Sequence, residues 1–318
     1  MLKRFLPVIV LLPALAAAQE FGPIQTRNMR SLSQQFLRFY PGEHLLDAGA
    51  QQFDFGYTNA NEFRRIRSGG AVVLEEDAET SRALFRYQRG MKGGFTLGAE
   101  VPLVSRGGGF MDPIIDWYHT RVLNTLLERH DVPFGRSVIA GPGYSFGSAS
   151  GLGDVTVTAA QRVGRNWIAE AGVKLPTGEA NKLLGSGSAD AGLSFYGDWA
   201  IARKLRLFAQ VGGVVQGRAR NLPGTRGFVD QESLGLLWQR NSRDGWVVTL
   251  QAEASALKSG ISASDANHRI ITVGYERKIS PRQLLSFFFS EDRDFLWGAA
   301  GGNVGPDFTM GLRLATHF

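Results

Sequence analysis

Residues 167–175 read Trp-Ile-Ala-Glu-Ala-Gly-Val-Lys-Leu. Trp167, Ala169, Ala171, Val173 and Leu175 fall on one side of an extended chain, and Glu170, Gly172 and Lys174 on the other. A period of two is the mark of a strand, because successive side chains point to opposite faces. Here the apolar face carries the aromatic residue and the opposite face carries glycine and charge, as expected when lipid lies outside and water inside.

The same reading extends along the chain. Phe53, Phe55 and Tyr57 alternate with Asp54 and Gly56, and Phe95, Leu97, Ala99, Val101 and Leu103 with Thr96, Gly98 and Glu100. Ile271, Val273 and Tyr275 oppose Thr272, Gly274 and Glu276; Phe308, Met310, Leu312, Leu314 and Phe318 oppose Gly311, Arg313 and His317. Twelve such runs are centred near residues 54, 83, 99, 157, 171, 195, 209, 236, 251, 273, 287 and 312. Every second connection is short and turn-like, at 89–93, 163–166, 202–204, 241–245 and 278–281. The others are long and polar or Gly-rich: 59–69, 105–150, 178–187, 217–229, 258–267 and 291–305. An even strand count with alternating turn and loop lengths predicts an all-β fold, a transmembrane antiparallel up-and-down barrel of about twelve strands over 44–318. Both termini then lie in the periplasm. A soluble sandwich also alternates, but its strands need not reach the roughly 9–11 residues that cross a bilayer at a tilt.

Composition agrees. Glycine supplies 40 of 318 residues without a Gly-X-Y period, and mean hydropathy is only −0.11, so no helical membrane bundle is present. The chain has no cysteine, which excludes disulfide scaffolds, Cys-ligated metal centres and thiol nucleophiles. The one long apolar stretch is at the start. Lys3 and Arg4, the apolar run Phe5–Leu15 and Ala16-Ala17-Ala18 form a secretory signal peptide, 1–18, cut before Gln19. Residues 19–43 then read as a periplasmic N-terminal segment. Of 35 basic and 29 acidic residues, Lys3 and Arg4 leave with the leader; the remaining excess of four is too small to argue for nucleic acid.

The 105–150 excursion breaks the rhythm. Asp112 before Pro113 reads as a helix start, and Ile114, Trp117, Tyr118, Val122 and Leu126 follow at helical spacing, so 113–128 is expected to be a short helix capped by Asp112. Asp112, Asp116 and His119 fall near one helix face, too sparse for a metal signature. They are expected at the barrel mouth, as a constriction, with Ile114, Trp117 and Leu126 buried against it. On these residues, together with Leu46-Asp47-Ala48-Gly49, Tyr57-Thr58-Asn59, Glu100-Val101-Pro102-Leu103 and the Gly107–Asp116 stretch, the sequence from about Pro23 to Phe318 resembles the proteobacterial outer-membrane family called domain of unknown function 3187. Lys174-Leu175-Pro176-Thr177-Gly178 is similar to a strand ending in barrels proposed to carry aromatic compounds. The resemblance implies a Gram-negative outer-membrane location and fold, and little chemistry.

Candidate functional residues follow from the face assignment. Asp54, Arg82, Arg86, Glu100, Glu170, Lys174, Arg206, Gln210, Glu253, Glu276 and Arg313 are expected to line the lumen. Gly56, Gly98, Gly172, Gly274 and Gly311 would leave space there. Phe318, an aromatic ending a strand, reads as the signal for the barrel-assembly machinery. Gly143-Tyr144-Ser145-Phe146-Gly147 has the letters of a nucleophile elbow but leads into a strand rather than a helix. No cofactor or metal is expected; the partners are outer-membrane lipids, the assembly machinery and a small solute. The leading function is a passive channel narrowed by the 105–150 loop. The alternative is a closed barrel with a surface-binding or lipid-modifying enzymatic role in its external loops.

Overall fold

A computed structural model describes residues 21–122, 132–292 and 305–318, so the leader lies outside the described residues. Three long strands come first: β1 (Gln51–Ser68), β2 (Ala71–Met91) and β3 (Phe95–Gly107). Three short ones, β4 (Val138–Gly141), β5 (Tyr144–Phe146) and β6 (Ala149–Leu152), belong to the long excursion. The remainder are β7 (Thr156–Arg162), β8 (Trp167–Lys174), β9 (Asp190–Ala202), β10 (Leu205–Val215), β11 (Phe228–Gln239), β12 (Asp244–Glu253), β13 (His268–Ser280), β14 (Gln283–Asp292) and β15 (Phe308–His317). All twelve expected strand centres fall inside the long strands of this set.

Each of the twelve long strands pairs antiparallel with the next, β3 passing to β7 across the excursion, while β4 and β6 pair onto the outer ends of β2 and β3. The ring closes where β1 meets β15, from Gln52 opposite His317 to Asn61 opposite Phe308. At that seam Gln51 and Phe318 exchange both backbone hydrogen bonds, 3.3 and 2.9 Å. The result is a closed twelve-stranded barrel, with both ends of the wall on the side of the short turns. No helix among the described residues is long and apolar enough to span a membrane.

The facing is visible strand by strand. Along β11, Leu234, Leu236 and Trp238 are exposed on the outside, while Gln231, Ser233, Gly235 and Leu237 are buried inside. Near the short turns, Trp167 packs edge-on to Trp199 at 5.2 Å and Trp246 meets Tyr275 at 5.0 Å. Near the long loops Phe289 meets Phe308 at 4.8 Å. An apolar belt between two aromatic girdles is the outer surface of a membrane barrel.

Two expectations need correction here. Residues 59–69 are not a loop: β1 and β2 stay paired to Ser68 opposite Ala71, and the turn is Gly69-Gly70, both at positive φ. Two such glycines suit a tight hairpin turn. The alternation fades beyond Asn59 because both faces of this extension leave the lipid, so its polarity reads as loop. The 19–43 segment, from Phe21 onward, is not outside the barrel either. It lies within the lumen, where Ile24, Leu32, Phe36 and Arg30 are at most 1% exposed.

The wall assignment sets a measurable contrast. Phe287, 47% exposed on the outer face, should lose about 2–4 kcal/mol of stability in lipid vesicles as Phe287→Arg. Thr272→Ser keeps the inward hydroxyl that meets Ser290 at 2.8 Å and should leave the urea midpoint nearly unchanged. Equal midpoints would mean that the two faces are interchanged.

Candidate functional site

The lumen is occupied by the chain's own residues 21–46, which run the length of the barrel and return. Phe21 starts at the short-turn end, its carbonyl accepting from Arg206 Nη1 (3.0 Å) and its ring under Lys278 Nζ at 4.6 Å. Gly22 N donates to Glu276 (3.0 Å), and Asn28 Nδ2 to Glu253 (2.9 Å). At the far end the chain reverses through Arg30–Phe36, with Ser33 N and Gln34 N donating to the Arg30 carbonyl. On the way back Leu37 N donates to Asp190, and Phe39 exchanges two hydrogen bonds with the Gln231 amide (2.9 and 2.7 Å). Glu43 accepts from Arg86 and Gln88, and Leu46 N donates to Thr96 Oγ1 before the chain enters β1.

The segment is a hairpin with a polar waist and apolar ends. Phe21 and Ile24 join Ile168, Phe208, Leu237, Val247, Leu284 and Phe288 in a cluster at the short-turn end. Leu32 and Phe36 join Ala78, Ile139, Leu183, Leu222 and Leu257 at the long-loop end, with Tyr144 and Phe146 against them. Ile139, Tyr144 and Phe146 come from the 105–150 excursion, so that excursion covers the tip of the hairpin; burial there pushes the Tyr144 hydroxyl pKa upward. Alongside the long-loop seal and below it the contacts are charged. Arg30, wholly buried, forks onto Glu76 and also donates to the Ser264 carbonyl and hydroxyl. Arg38 pairs with Glu253 at 3.0 Å.

Two of the five inward glycines are explained by this filling, while Gly56, Gly98 and Gly311 face atoms of the wall itself. A Cβ on Gly274 would strike Ile24, and one on Gly172 would sit 3.1 Å from the Phe39 ring. Space near the barrel's middle therefore exists for the N-terminal hairpin. Gly172→Ser would press on Phe39 instead of entering an open channel. Within the hairpin, Arg27 Nη2 donates to the carbonyls of Gln34 (3.2 Å) and Phe36 (2.7 Å), and Gln25 Nε2 to that of Gly42 (2.7 Å), tying the two arms together. What remains beside them, among Arg27, Tyr40, Asp54 and Arg82, is a void of about 30 Å³, enough for a water or two.

All eleven residues expected on the lumen side point inward, but they do not form one site. Arg86 gathers Glu43, Glu100 and Glu170; Asp54 holds Arg313 at 2.9 Å; Arg206 pairs with Asp198. Lys174 is sunk among Asp154 (2.7 Å), Asp190 (3.4 Å) and Ser186. Gln210 donates to the Tyr40 carbonyl, while Glu253 and Glu276 are met by hairpin donors. Arg82 reaches the Tyr40 hydroxyl at 3.3 Å.

The loop cluster is rearranged. The helix, α1 (Asp112–Trp117), is followed by a π-turn at Tyr118–Val122; Leu126, His130 and the rest of 123–131 lie outside the described residues. Asp112 is the first helical residue and does not cap: its carboxylate accepts from Asn61 Nδ2 (2.8 Å) and Gly135 N (2.9 Å), fastening the excursion to β1. Ile114 and Trp117 are each 58% exposed, and Met111 and Ile115 are buried in their place. Asp116 is half-buried on the next turn, and the His119 side chain lies outside the described residues. His268 is fully buried against Asp292 at 2.7 Å, at the head of β13. Ser145 stands in the middle of β5, where no strand-to-helix elbow exists.

Sequence reasoning missed the hairpin and the apolar residues that seat it. The usable signal was Ile168, Phe208, Leu237 and Leu284, which interrupt the polar face of their strands just beside a short turn. A closed barrel with a lipid-facing belt and a polar, charge-lined interior is a transmembrane barrel of the outer-membrane type. The chain belongs to the family described as Protein of unknown function (DUF3187), whose model matches residues 4–310. No curated protein matches it. Among solved structures it is similar to the COG4313 outer membrane channel from Pseudomonas putida F1, at 15% identity over 88% of this chain and 100% of that one, with a TM-score of 0.58. It is also similar to the P. putida toluene transporter TodX, at 11% identity over 85% and 89%, with a TM-score of 0.41. The first likeness is one of fold; the second is too loose to carry an argument.

Removing one partner of a fully buried ion pair strands the other charge, at a cost of about 3–5 kcal/mol. Arg30→Met should lower the thermal midpoint accordingly, and adding Glu76→Gln should recover part of the loss. A neutral Arg30→Met would show that the pair is not desolvated.

Proposed function

We propose that the protein is an outer-membrane channel for small solutes whose lumen is the conduction path, and that residues 21–46 hold it shut. One observation carries this reading. Among the described residues, the hairpin and the wall share no backbone–backbone hydrogen bond above the junction at Gly49 and Gly90. The wall strands pair with one another, and each hydrogen bond between hairpin and wall involves a side chain. The hairpin can therefore leave without unpairing a strand, which lipid would forbid for the wall itself. Its arms are tied to each other and, among the described residues, it joins the wall covalently at the short-turn end alone, so it can withdraw as one body. Tyr144, Phe146 and Ile139 over its tip make the 105–150 excursion a second constriction at the opposite mouth.

Withdrawal would uncover Glu62, Glu76 and Glu253, which have no ion-pair partner on the wall among the described residues, against Arg82, which would lose the Tyr40 hydroxyl; carboxylates outnumber it, so the open path should favour cations. The short turns and both termini face the periplasm in this reading, after cleavage of the 1–18 leader. The alternative, a closed barrel acting through its external loops, keeps the hairpin as permanent filling.

Planar-bilayer recording separates the two. Full-length protein should conduct rarely, whereas protein lacking 21–46, with a short Gly/Ser bridge to Asp47 and a heat-modifiable barrel band, should conduct steadily. Its reversal potential in a salt gradient should be cation-selective and should weaken with Glu76→Gln. A correctly assembled deletion that stays silent would sink the channel and favour the closed, surface-acting barrel.

Assembly has its own test. Phe318 leaves its ring 64% exposed at the seam while its backbone closes the ring onto Gln51. An exposed terminal aromatic suits a recognition role better than a packing one. Phe318→Asp should accumulate in the periplasm with a weakened heat-modifiable form, and wild-type assembly would remove that role from Phe318.

A further inference from the structure

The barrel's two rims differ in charge. The five short turns with their flanking strand ends, 89–95, 162–167, 202–205, 239–245 and 277–283, contain eleven Lys and Arg and a single acid, Asp244. Every turn contributes at least two. Arg162 and Arg165, Arg203 and Lys204, and Arg240 and Arg243 are all exposed. Asp244 accepts from the Tyr275 hydroxyl at 2.5 Å and from Asn241 Nδ2 at 2.8 Å and pairs with Arg277 at 3.6 Å, so it offsets one of the eleven. The other ten find no carboxylate within these turns. Inside the barrel, by contrast, Arg30, Arg38, Arg86, Lys174 and Arg313 are each paired to a carboxylate.

A second observation says what neutralises it. Directly beside these turns, on the outer face, stands the girdle of Trp167, Trp199, Trp238, Trp246 and Tyr275, the residue types that settle at the headgroup level of a bilayer. Val163, Ile201 and Ile279, in or next to the turns, are each more than half exposed, too apolar for a rim standing clear in water. The cations therefore sit at the depth of lipid phosphates, within reach of snorkelling Lys and Arg side chains. We infer that the short-turn rim is a binding collar for anionic phospholipid headgroups, such as phosphatidylglycerol, in the leaflet it faces. The periplasmic leaflet is that one if the short turns face the periplasm as proposed above; the collar itself does not depend on the lumen conducting.

The chain supplies its own probe. Of its six tryptophans, four (Trp167, Trp199, Trp238 and Trp246) belong to this girdle. In full-length protein carrying Trp117→Phe and Trp297→Phe, refolded into phosphatidylcholine vesicles, a fixed fraction of brominated phosphatidylglycerol should quench tryptophan emission more than the same fraction of brominated phosphatidylcholine. Interfacial Lys and Arg each favour an anionic surface appreciably, so a relative binding constant of about threefold or more is expected at low salt. Half-molar salt should bring it towards one. A variant with Arg203→Gln, Lys204→Gln, Arg240→Gln and Arg243→Gln should lose most of the preference while keeping its heat-modifiable band. Should that variant not refold, the salt series on the parent protein decides alone. Equal quenching by the two brominated lipids would overturn the collar and point to an acidic soluble partner at the rim. A preference untouched by salt, or by the four substitutions, would equally overturn it by placing the lipid contact elsewhere.

Discussion

The closure of β1 onto β15 is the constraint on which everything else rests. Hydrocarbon offers a backbone amide no partner, so a wall of strands can stand in a membrane only as a complete ring. Closing the ring at twelve strands fixes an interior wider than side chains alone fill, since about eight strands suffice for that. Each strand then has one face that must be apolar and one that must be hydrated or matched. Asp54 against Arg313, and Arg86 among Glu43, Glu100 and Glu170, are local solutions to the second demand.

The hairpin of residues 21–46 is the larger solution. It brings Arg30 to Glu76 and Arg38 to Glu253, and backbone amides of Gly22, Ser31 and Leu37 to Glu276, Glu62 and Asp190. Such pairs add little to stability over a well-packed apolar filling, but they make the fit specific and make breaking it unilaterally expensive. The apolar seals at either end keep water from the charged waist, which keeps those interactions strong. Gly172 and Gly274 are the wall's share of the arrangement, giving up their side chains where Phe39 and Ile24 come closest.

The two mouths are built for different surroundings. At the long-loop end β4 and β5, the 180–184 and 219–222 loops and residues 256–257 meet over Leu32 and Phe36, and Asp112 pins the excursion to Asn61. At the short-turn end there are only turns of a few residues, an aromatic girdle and a ring of cations. A filling joined to the wall at one end, a covered mouth at the other and a basic rim below give the barrel a direction.

By itself the sequence determined the wall. The period of two, the short turns and the aromatic outer faces of 53–57, 167–175 and 308–318 all express one local rule, that neighbouring side chains on a strand look in opposite directions, and lipid enforces it at every position. It also determined which charges point inward, since facing follows from phase. It did not show where residues 21–46 lie, because an aperiodic polar segment looks the same in a periplasmic linker and in a lumen. Nor could it place 59–68, where the strands outrun the membrane and the alternation loses its cause. Only the tertiary structure paired Arg30 with Glu76, 46 positions away, and Gly22 with Glu276, 254 positions away. Those contacts depend on the barrel's diameter, which exists once the last strand has met the first.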